Sequence, residues 1–428
     1  MNVLIIGSGG REHALCWLIK KSPYCSKIFT IPGNAGTASL GENIQLKVDD
    51  FKSIGQVIRE KAIDFVIAGP EEPIVKGIEA YFSSTEYLKK VLLLAPSAEG
   101  AMLEGSKDYA KNFMERNSIP TASYRTFTKE DYQAACDYIG NHALPLVVKA
   151  DGLAAGKGVT VASSYEEALS ALYAIFINEK FGNAGNKVVI EQYLDGIELS
   201  VFILTDGENY ILLPEAKDYK RVGEGDTGPN TGGMGSISPV FFADQAFMNK
   251  VRSKIIEPTL KGLQTDGIAY KGFIFFGLMN VKNEPYVIEY NVRLGDPETE
   301  AILPRIDEDF LLLMKQAAEG HLKQSEIKIK RESSATVMLV SGGYPEEYEK
   351  NKRITGLEML EQVTPFIAGA NANEKHLVTT GGRVIALNAL GNDLNSALSK
   401  IYSEINKIKF DNMYYRKDIG QDVINLRE

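Results

Sequence analysis

Lys149-Ala-Asp-Gly-Leu-Ala-Ala-Gly-Lys-Gly158 decides how this chain is to be read. Its glycines and lysine invite comparison with a P-loop. The spacing Gly152-x-x-x-Gly156-Lys157-Gly158 is one residue short, however, and Gly158 stands where a magnesium-binding Ser or Thr would be needed. The flanks point elsewhere: residues 146–149 and 159–162 are apolar and β-branched, so the loop joins two strands instead of feeding a helix. A strand–loop–strand flap of small residues can close its backbone over a polyphosphate, with Lys149 at its root as a point charge. A flexible hairpin tip is the plainer alternative.

Downstream, residues 187–194 read as a buried strand ending in Glu191-Gln-Tyr-Leu194, with Asp195-Gly196 as a turn and Glu198 opening the next strand. A strand ending at a cleft can offer its backbone to an adenine edge, while Glu198 could accept from ribose hydroxyls. Alone this is a common pattern, and its value lies in its position after the flap.

A hairpin follows, with strands 272–281 and 286–293 around a turn at 282–285. Side chains in a strand alternate, so Glu289, Asn291 and Arg293 are expected on one face and Ile288, Tyr290 and Val292 on the opposite, apolar one. A carboxylate beside an amide oxygen suits hard Mg²⁺, with nucleotide phosphates and water completing its shell. Arg293 can brace a phosphoryl group bidentately. A solvated face holding an ion pair is the bland reading. Between these elements lie Asp218-Tyr-Lys-Arg221 and Gly228-Pro-Asn-Thr-Gly-Gly-Met-Gly235, a stretch too rich in glycine for a packed element, where Lys220 and Arg221 suggest a bound anion.

Upstream, short apolar runs at 3–6, 27–31, 65–68 and 91–94 alternate with helical patterns such as 12–21. That alternation predicts a doubly wound parallel sheet over residues 1–105. Gly7-Ser8-Gly9-Gly10 lies at the first strand-to-helix turn, where N–H groups can cradle an anion. A dinucleotide fingerprint fails because Glu12 occupies the third glycine's place. The polar run 328–334 marks a second boundary. The expected plan is therefore α/β and α+β, multidomain: 1–105, a central 106–330, and a small α+β unit at 331–428.

The 428 residues carry a net charge of −9, which argues against nonspecific nucleic-acid binding. Apolar runs such as 91–95 and 273–279 fall short of the ~18 residues a membrane span needs. The opening 1–7 lacks the pattern of a secretion signal. Three scattered cysteines suit a reducing cytoplasm, and four histidines leave little for a zinc site. No Ser/His/Asp or Cys/His arrangement announces an enzyme nucleophile.

Taken together the motifs resemble the ATP-grasp ligases, and within them the glycinamide ribonucleotide synthetase family, almost end to end. The carrying segments are Gly7-Ser-Gly-Gly-Arg-Glu-His-Ala14, Gly69-Pro-Glu-Glu-Pro73, Leu103-Glu-Gly-Ser-Lys107, the flap, the 228–235 stretch, Glu289-Tyr-Asn-Val-Arg-Leu-Gly-Asp-Pro-Glu298 and Gly381-Gly-Arg383. The 228–235 stretch and Gly295-Asp-Pro-Glu298 are the specific ones.

The resemblance implies a two-lobed ATP-grasp core with a mobile lid at about 122–190 and ATP between the lobes. Lys107, Lys149, Gly152, Gly156, Lys157 and Gly158 would face the phosphates, and Glu191, Tyr193, Leu194 and Glu198 the adenosine. Mg²⁺, or Mn²⁺ in its place, would sit on Glu289 and Asn291. Gly9, Gly10, Glu71, Arg221, Thr231, Gly232, Gly233, Met234, Asp296 and Glu298 would bind substrates, with Arg293, Asp218 and Lys220 catalytic. The reaction implied activates glycine with the γ-phosphate of ATP and couples the acyl phosphate to 5-phosphoribosylamine. The partners would be these small molecules, without nucleic acid or membrane, in a cytoplasmic monomer or weak homo-oligomer. Departures occur: Tyr219 stands where the family commonly has His, Lys217 where it has Gln, and Leu294 where it has Phe. Three other readings remain in view: a Rossmann oxidoreductase resting on the first glycine turn, a nucleotide-binding module without turnover, and a different ATP-grasp ligase.

Overall fold

The computed structural model describes residues 1–428 except 155, 324–325, 374–375 and 428, so Ala155 of the flap motif lies outside the described residues. The first sheet is five-stranded and parallel, in the order Glu42–Asn43, Lys27–Pro32, Asn2–Gly7, Phe65–Ala68, Leu92–Leu94. Its central strand is buried on both faces, as a near-continuous apolar run requires. Leu4 and Ile6 pack in one core with Ile54 and Ile58 of the helix Phe51–Glu60. Val3 and Ile5 pack in another with Leu15 and Ile19 of the helix Gly10–Ile19. Helices on both faces make the sheet doubly wound, as expected. The two-residue strand Glu42–Asn43 carried no readable pattern.

Two antiparallel sheets form the centre of the chain. The smaller runs Tyr124–Thr128, Lys187–Gln192, Leu146–Ala150, Val159–Ala162, and the described residues between its last two strands, 151–154 and 156–158, form no helix. It has its own core, built from Phe127, Ile139, Val148, Leu172, Phe176 and Ile190. The larger runs Tyr210–Leu212, Ile197–Thr205, Gly272–Val281, Glu284–Asn291. The hairpin turn is tighter than expected: Lys282 and Asn283 alone make it, with φ of 51° and 66°, as a two-residue turn between twisted strands demands.

The last sheet corrects one expectation. Its order is Lys217–Asp218, Gly235–Ser238, Ser333–Val340, Arg383–Gly391, Thr364–Ile367, so two of its strands come from the stretch expected to be too glycine-rich to pack. Met234 is fully buried, and a Cβ on Gly235 would stand 2.6 Å from the Thr336 carbonyl oxygen. The glycines there permit close strand packing. Residues Arg221–Gly223 and Thr227–Asn230 form a separate hairpin. Among the described residues no helix is long and apolar enough to cross a membrane.

Candidate active site

Glu289 sits opposite Gly277 on the neighbouring strand, where a β-bulge shifts the register. The bulge falls at Ile288 and changes the expected alternation. Val287, not Ile288, joins Tyr290 and Val292 in the core, and Ile288 is left half-buried. The strand thus turns Glu289 away from the core by an extra residue instead of by simple periodicity. A side chain at position 277 would meet Glu289 Cγ at 3.1 Å, so the glycine leaves room for the carboxylate.

Four cations act on that carboxylate through their charge. Burial raises the Glu289 carboxyl, but Lys220, Lys149, Lys107 and Arg293 outweigh it and hold it below the ordinary range, ionised at neutral pH. Lys149 comes from the smaller sheet, donates to Glu191 Oε2 on the neighbouring strand at 2.9 Å, and reaches across the seam to the Ile288 carbonyl at 3.5 Å. Lys107 starts the helix Lys107–Arg116 and donates to the carbonyls of Asp151 and Gly152, both at 3.3 Å. Burial, and Lys149 beside it, push its ammonium down despite Glu289. Lys220 is paired with Glu198 at 2.6 Å. Burial would lower it, yet Glu198, Asp218 and Glu289 hold it well above the usual lysine value.

Next to this charge cluster lie two acids that resist ionisation. Burial pushes the Asp218 carboxyl up, with Glu198 and Glu289 adding to the effect against Lys220 and Lys217. Burial pushes Glu298 up to about 7, reinforced by Asp218, and Ser200 Oγ donates to Glu298 Oε1 at 3.1 Å. Ser200 was not singled out by sequence, and Glu104 stood there only inside the Leu103–Lys107 segment, without a role of its own. Glu104 accepts from the Val292 N–H at 2.7 Å and from Arg293 Nη2 at 2.8 Å.

Arg293, expected to face a phosphoryl group, spreads its guanidinium over protein partners: Glu104, Asn291 Oδ1 at 2.9 Å, and Glu71 Oε2 at 3.4 Å. Asn291 is 6 % exposed and its Nδ2 is buried with no hydrogen-bond partner. The unpartnered Nδ2 is a hydrogen-bond donor and cannot ligate a cation, and Asn291 Oδ1 already accepts from Arg293. The ionised Glu289 is therefore the available oxygen ligand for a hard cation, and Asn291 would join it only on releasing that guanidinium. Among the described residues no group of three or more acids, histidines or cysteines could hold a metal alone, so such a cation needs further oxygens from a ligand.

The first glycine turn is occupied from within. Glu12 Oε2 accepts from the Gly9 N–H at 2.6 Å, and Glu12 Oε1 accepts from Arg11 Nε at 2.6 Å. A Cβ at Gly7, Gly9 or Gly69 would stand within 3 Å of the Glu12 side chain. The glutamate that spoiled the dinucleotide fingerprint therefore fills the crevice where the strand order reverses, the usual ligand position in such sheets. Gly9 and Gly10 remain beside Asp296 and Glu300: a Cβ at Gly9 would be 3.0 Å from Asp296 Oδ2, and one at Gly10 2.2 Å from Glu300 Oε1. Arg383 Nη1 donates to the carbonyls of Asp296 at 2.7 Å and Gly232 at 2.6 Å, tying the glycine-rich segment to this corner.

The remaining expected residues are placed as follows. Thr231 Oγ1 accepts from the Gly233 N–H and donates to the Lys220 carbonyl. Gly156 lies against the Thr231 carbonyl, and Lys157 donates to the Pro345 carbonyl at 3.3 Å, so the flap reaches the last domain. Gly152 packs on Ala184, and Gly158 on Ala150 and Ala154. Tyr193 and Leu194 are half-buried in the link between the two central sheets. Arg221 is not drawn into the cluster: its Nη1 donates to the Gly228 carbonyl within its own hairpin.

Residues 1–104 match the phosphoribosylglycinamide synthetase N domain, residues 105–299 its ATP-grasp (A) domain and residues 334–422 its C domain. The chain is 43% identical to a phosphoribosylamine–glycine ligase of Chlorobaculum tepidum, over 98% of this chain and 99% of that one. It is 44% identical to the ligase of the same name from Vibrio vulnificus, over 99% of each. A crystal structure of phosphoribosylamine–glycine ligase from Thermotoga maritima superposes with a TM-score of 0.85 at 36% identity, covering 98% of this chain and 100% of that one.

Proposed function

We infer, because the chain belongs to the phosphoribosylglycinamide synthetase family, that the seam between its two central sheets is where ATP, glycine and 5-phosphoribosylamine meet. The activity is the ATP-dependent joining of glycine to 5-phosphoribosylamine, the second step of purine biosynthesis. Domain limits at 105 and 330 and a lid at about 122–190 belong to the same reading.

The observation that carries the placement is the joint action of the charges of Lys107, Lys149, Lys220 and Arg293 on Glu289. Lys149, Lys220 and Arg293 are also paired with Glu191, Glu198 and Glu104, whereas Lys107 holds only carbonyl oxygens, so a triphosphate would draw on Lys107 and on cations that exchange partners. Mg²⁺ or Mn²⁺ on Glu289 and Asn291 would supply Lewis-acid stabilisation of the transferring phosphoryl group. Lys149, Lys107 and the flap hold the phosphates. Glu191 Oε1, buried without a hydrogen-bond partner, is the acceptor that an adenine amine would satisfy.

A glycine carboxylate oxygen attacks the γ-phosphorus, the bond to ADP breaks, and glycyl phosphate remains. The amine of phosphoribosylamine then attacks the acyl carbon, phosphate leaves, and the amine gives up a proton. Glu298, pushed up to about 7, is the carboxylate suited to take that proton near neutrality, with Asp218, raised by burial, beside it. Arg293 braces the acyl phosphate after exchanging one of its protein partners. Positioning and charge supply most of the rate, without a protein nucleophile. Asp296, Thr231, Gly232 and Glu71 are the residues left for the substrates, whereas Met234 lies in the core.

The test is ADP release with phosphoribosylamine generated in situ. Release that requires both glycine and phosphoribosylamine is expected; release indifferent to glycine would refute the reading.

A further inference from the structure

The segment from Lys217 to Lys220 shows its two edges to different neighbours. Asp218 and Lys220 lie among Glu198, Glu289 and Glu298. Lys217 and Tyr219 turn the other way and meet on one carboxylate. Tyr219 Oη donates to Asp422 Oδ1 at 2.6 Å, and Lys217 Nζ lies 3.0 Å from Asp422 Oδ2. The Lys217 ammonium also stands 3.8 Å from the centroid of the Tyr219 ring. Lys217 and Tyr219, two of the three residues that depart from the family's common pattern, thus share a partner on the short helix Gln421–Arg427.

The same C-terminal segment grips the adjoining hairpin. Arg416, 1 % exposed, forks onto Asp418 at 2.8 and 2.7 Å and donates Nη1 to Asp226 at 2.7 Å and to the Arg221 carbonyl at 3.1 Å. Asp418 in turn accepts from the Gly225 N–H at 2.8 Å. Residues 416–422 therefore hold both ends of the stretch that carries Asp218 and Lys220.

We propose that Asp422 is a positioning residue for the ligation, fixing through Lys217 and Tyr219 the orientation of Asp218 and Lys220 in the cleft. The inference rests on the reading that Asp218 and Lys220 work there. Backbone bonds set the register of this segment: Lys217 and Asp218 pair opposite Ile237 and Ser236, Tyr219 bonds Gly235 and Met234, and the Lys220 carbonyl accepts from Thr231. What they leave to side-chain contacts is how the buried edge, Lys217 and Tyr219, packs, and with it the fine placement of Asp218 and Lys220 on the opposite edge. Lys217 and Tyr219 are buried at 7 and 2 % exposure, so a partner that satisfies both sets how they pack. The Asp422 side chain is 42% exposed but that of Lys217 only 9%, so removing the carboxylate leaves a buried ammonium short of its anion and costs some stability, which is why melting is measured beside the rate. The effect on that rate belongs to geometry, where a displacement of about 1 Å can lower a rate on the order of a hundredfold.

The experiment compares Asp422→Ala, Asp422→Asn and Asp422→Glu with the parent in full-length protein, measuring kcat, the KM for ATP and thermal melting. Asp422→Ala should lower kcat roughly tenfold or more, leave the KM for ATP near the parent value, and melt within a few degrees of it. Asp422→Glu should recover much of the rate, and Asp422→Asn, which keeps the Tyr219 bond but loses the charge, should fall between. Adding Lys217→Gln and Tyr219→His to Asp422→Ala should lower kcat little further, because the clamp is already open. A kcat for Asp422→Ala within about twofold of the parent, or a loss that follows melting and that Asp422→Glu does not relieve, overturns the role. Asp218→Asn and Lys220→Met are measured alongside. Parental turnover in both would overturn the site reading, whereas their failure beside a fully active Asp422→Ala would overturn only the positioning role.

Discussion

Lys149 Nζ lies 2.9 Å from Glu191 Oε2, on neighbouring strands, with both side chains almost wholly buried. Lys111 Nζ stands 3.2 Å from the same oxygen, so one carboxylate serves two buried ammonium groups. The arrangement is asymmetric under mutation. Removing Lys149 leaves Glu191 still paired, whereas removing Glu191 strands two cations.

Lys149→Ala should therefore weaken ATP binding with little loss of fold. The loss of a charge-assisted contact of about 1.5–3 kcal/mol corresponds to roughly 10- to 100-fold in affinity. Glu191→Ala should instead destabilise the chain by about 3–5 kcal/mol. Calorimetric titration with ATP and thermal melting separate the two; unchanged nucleotide affinity in Lys149→Ala would return the flap to a plain hairpin.

Glu289→Ala should lower kcat on the order of a thousandfold. It removes the anion on which four cations act and leaves the core residues Val287, Tyr290 and Val292 in place. The circular-dichroism spectrum should match the parent. Turnover within tenfold of the parent at ordinary Mg²⁺ would exclude Glu289 as a metal ligand.

What sequence could and could not deliver follows from the range of the interactions. The first sheet and the strand–loop–strand flap were legible because periodicity and β-branched runs are local signals. The bulge at Ile288 was not, since it arises from pairing with Gly277 and Leu278 on the partner strand. Glu12 was visible as a misfit in a fingerprint, but its bonds to Gly9 and Arg11 and its fit among Gly7, Gly9 and Gly69 exist only in three dimensions. Lys217 and Tyr219 alternate with Asp218 and Lys220 along the chain. Their shared contact lies some two hundred residues away at Asp422, a separation that no spacing argument reaches. The last sheet's use of Gly235–Ser238 escaped for the same reason.

Glu298 gives a prediction about pH. Its folded-state pKa, about 7, lies above the ordinary glutamate value of 4.5 because the carboxyl is buried near Asp218. The folded state therefore holds this proton more tightly than the unfolded chain, and stability from this group is present at low pH and lost as pH rises from about 4.5 through 7. Glu298→Gln cannot ionise. Its melting temperature relative to the parent should rise across that window and level off above it, with a limiting gain of at most about 3 kcal/mol. A difference that is flat with pH would show that Glu298 does not titrate as described.

Arg416→Met tests the other end of the C-terminal grip. The guanidinium is 1 % exposed and bound to Asp226, Asp418 and the Arg221 carbonyl. Methionine keeps part of the apolar stem packed near Tyr219 but leaves two carboxylates without their cation. Removing one partner of a buried, hydrogen-bonded ion network typically costs about 3–5 kcal/mol. The fully buried partner here is the arginine, and Asp226 is largely exposed and can rehydrate, so a loss at the lower end, about 3 kcal/mol, is expected. Denaturant melts should show that loss. Hydrogen exchange should be faster at Gly225, whose N–H bonds Asp418, and hardly altered in the strand Asn2–Gly7. Unchanged exchange at Gly225 would mean that the hairpin is held by other contacts.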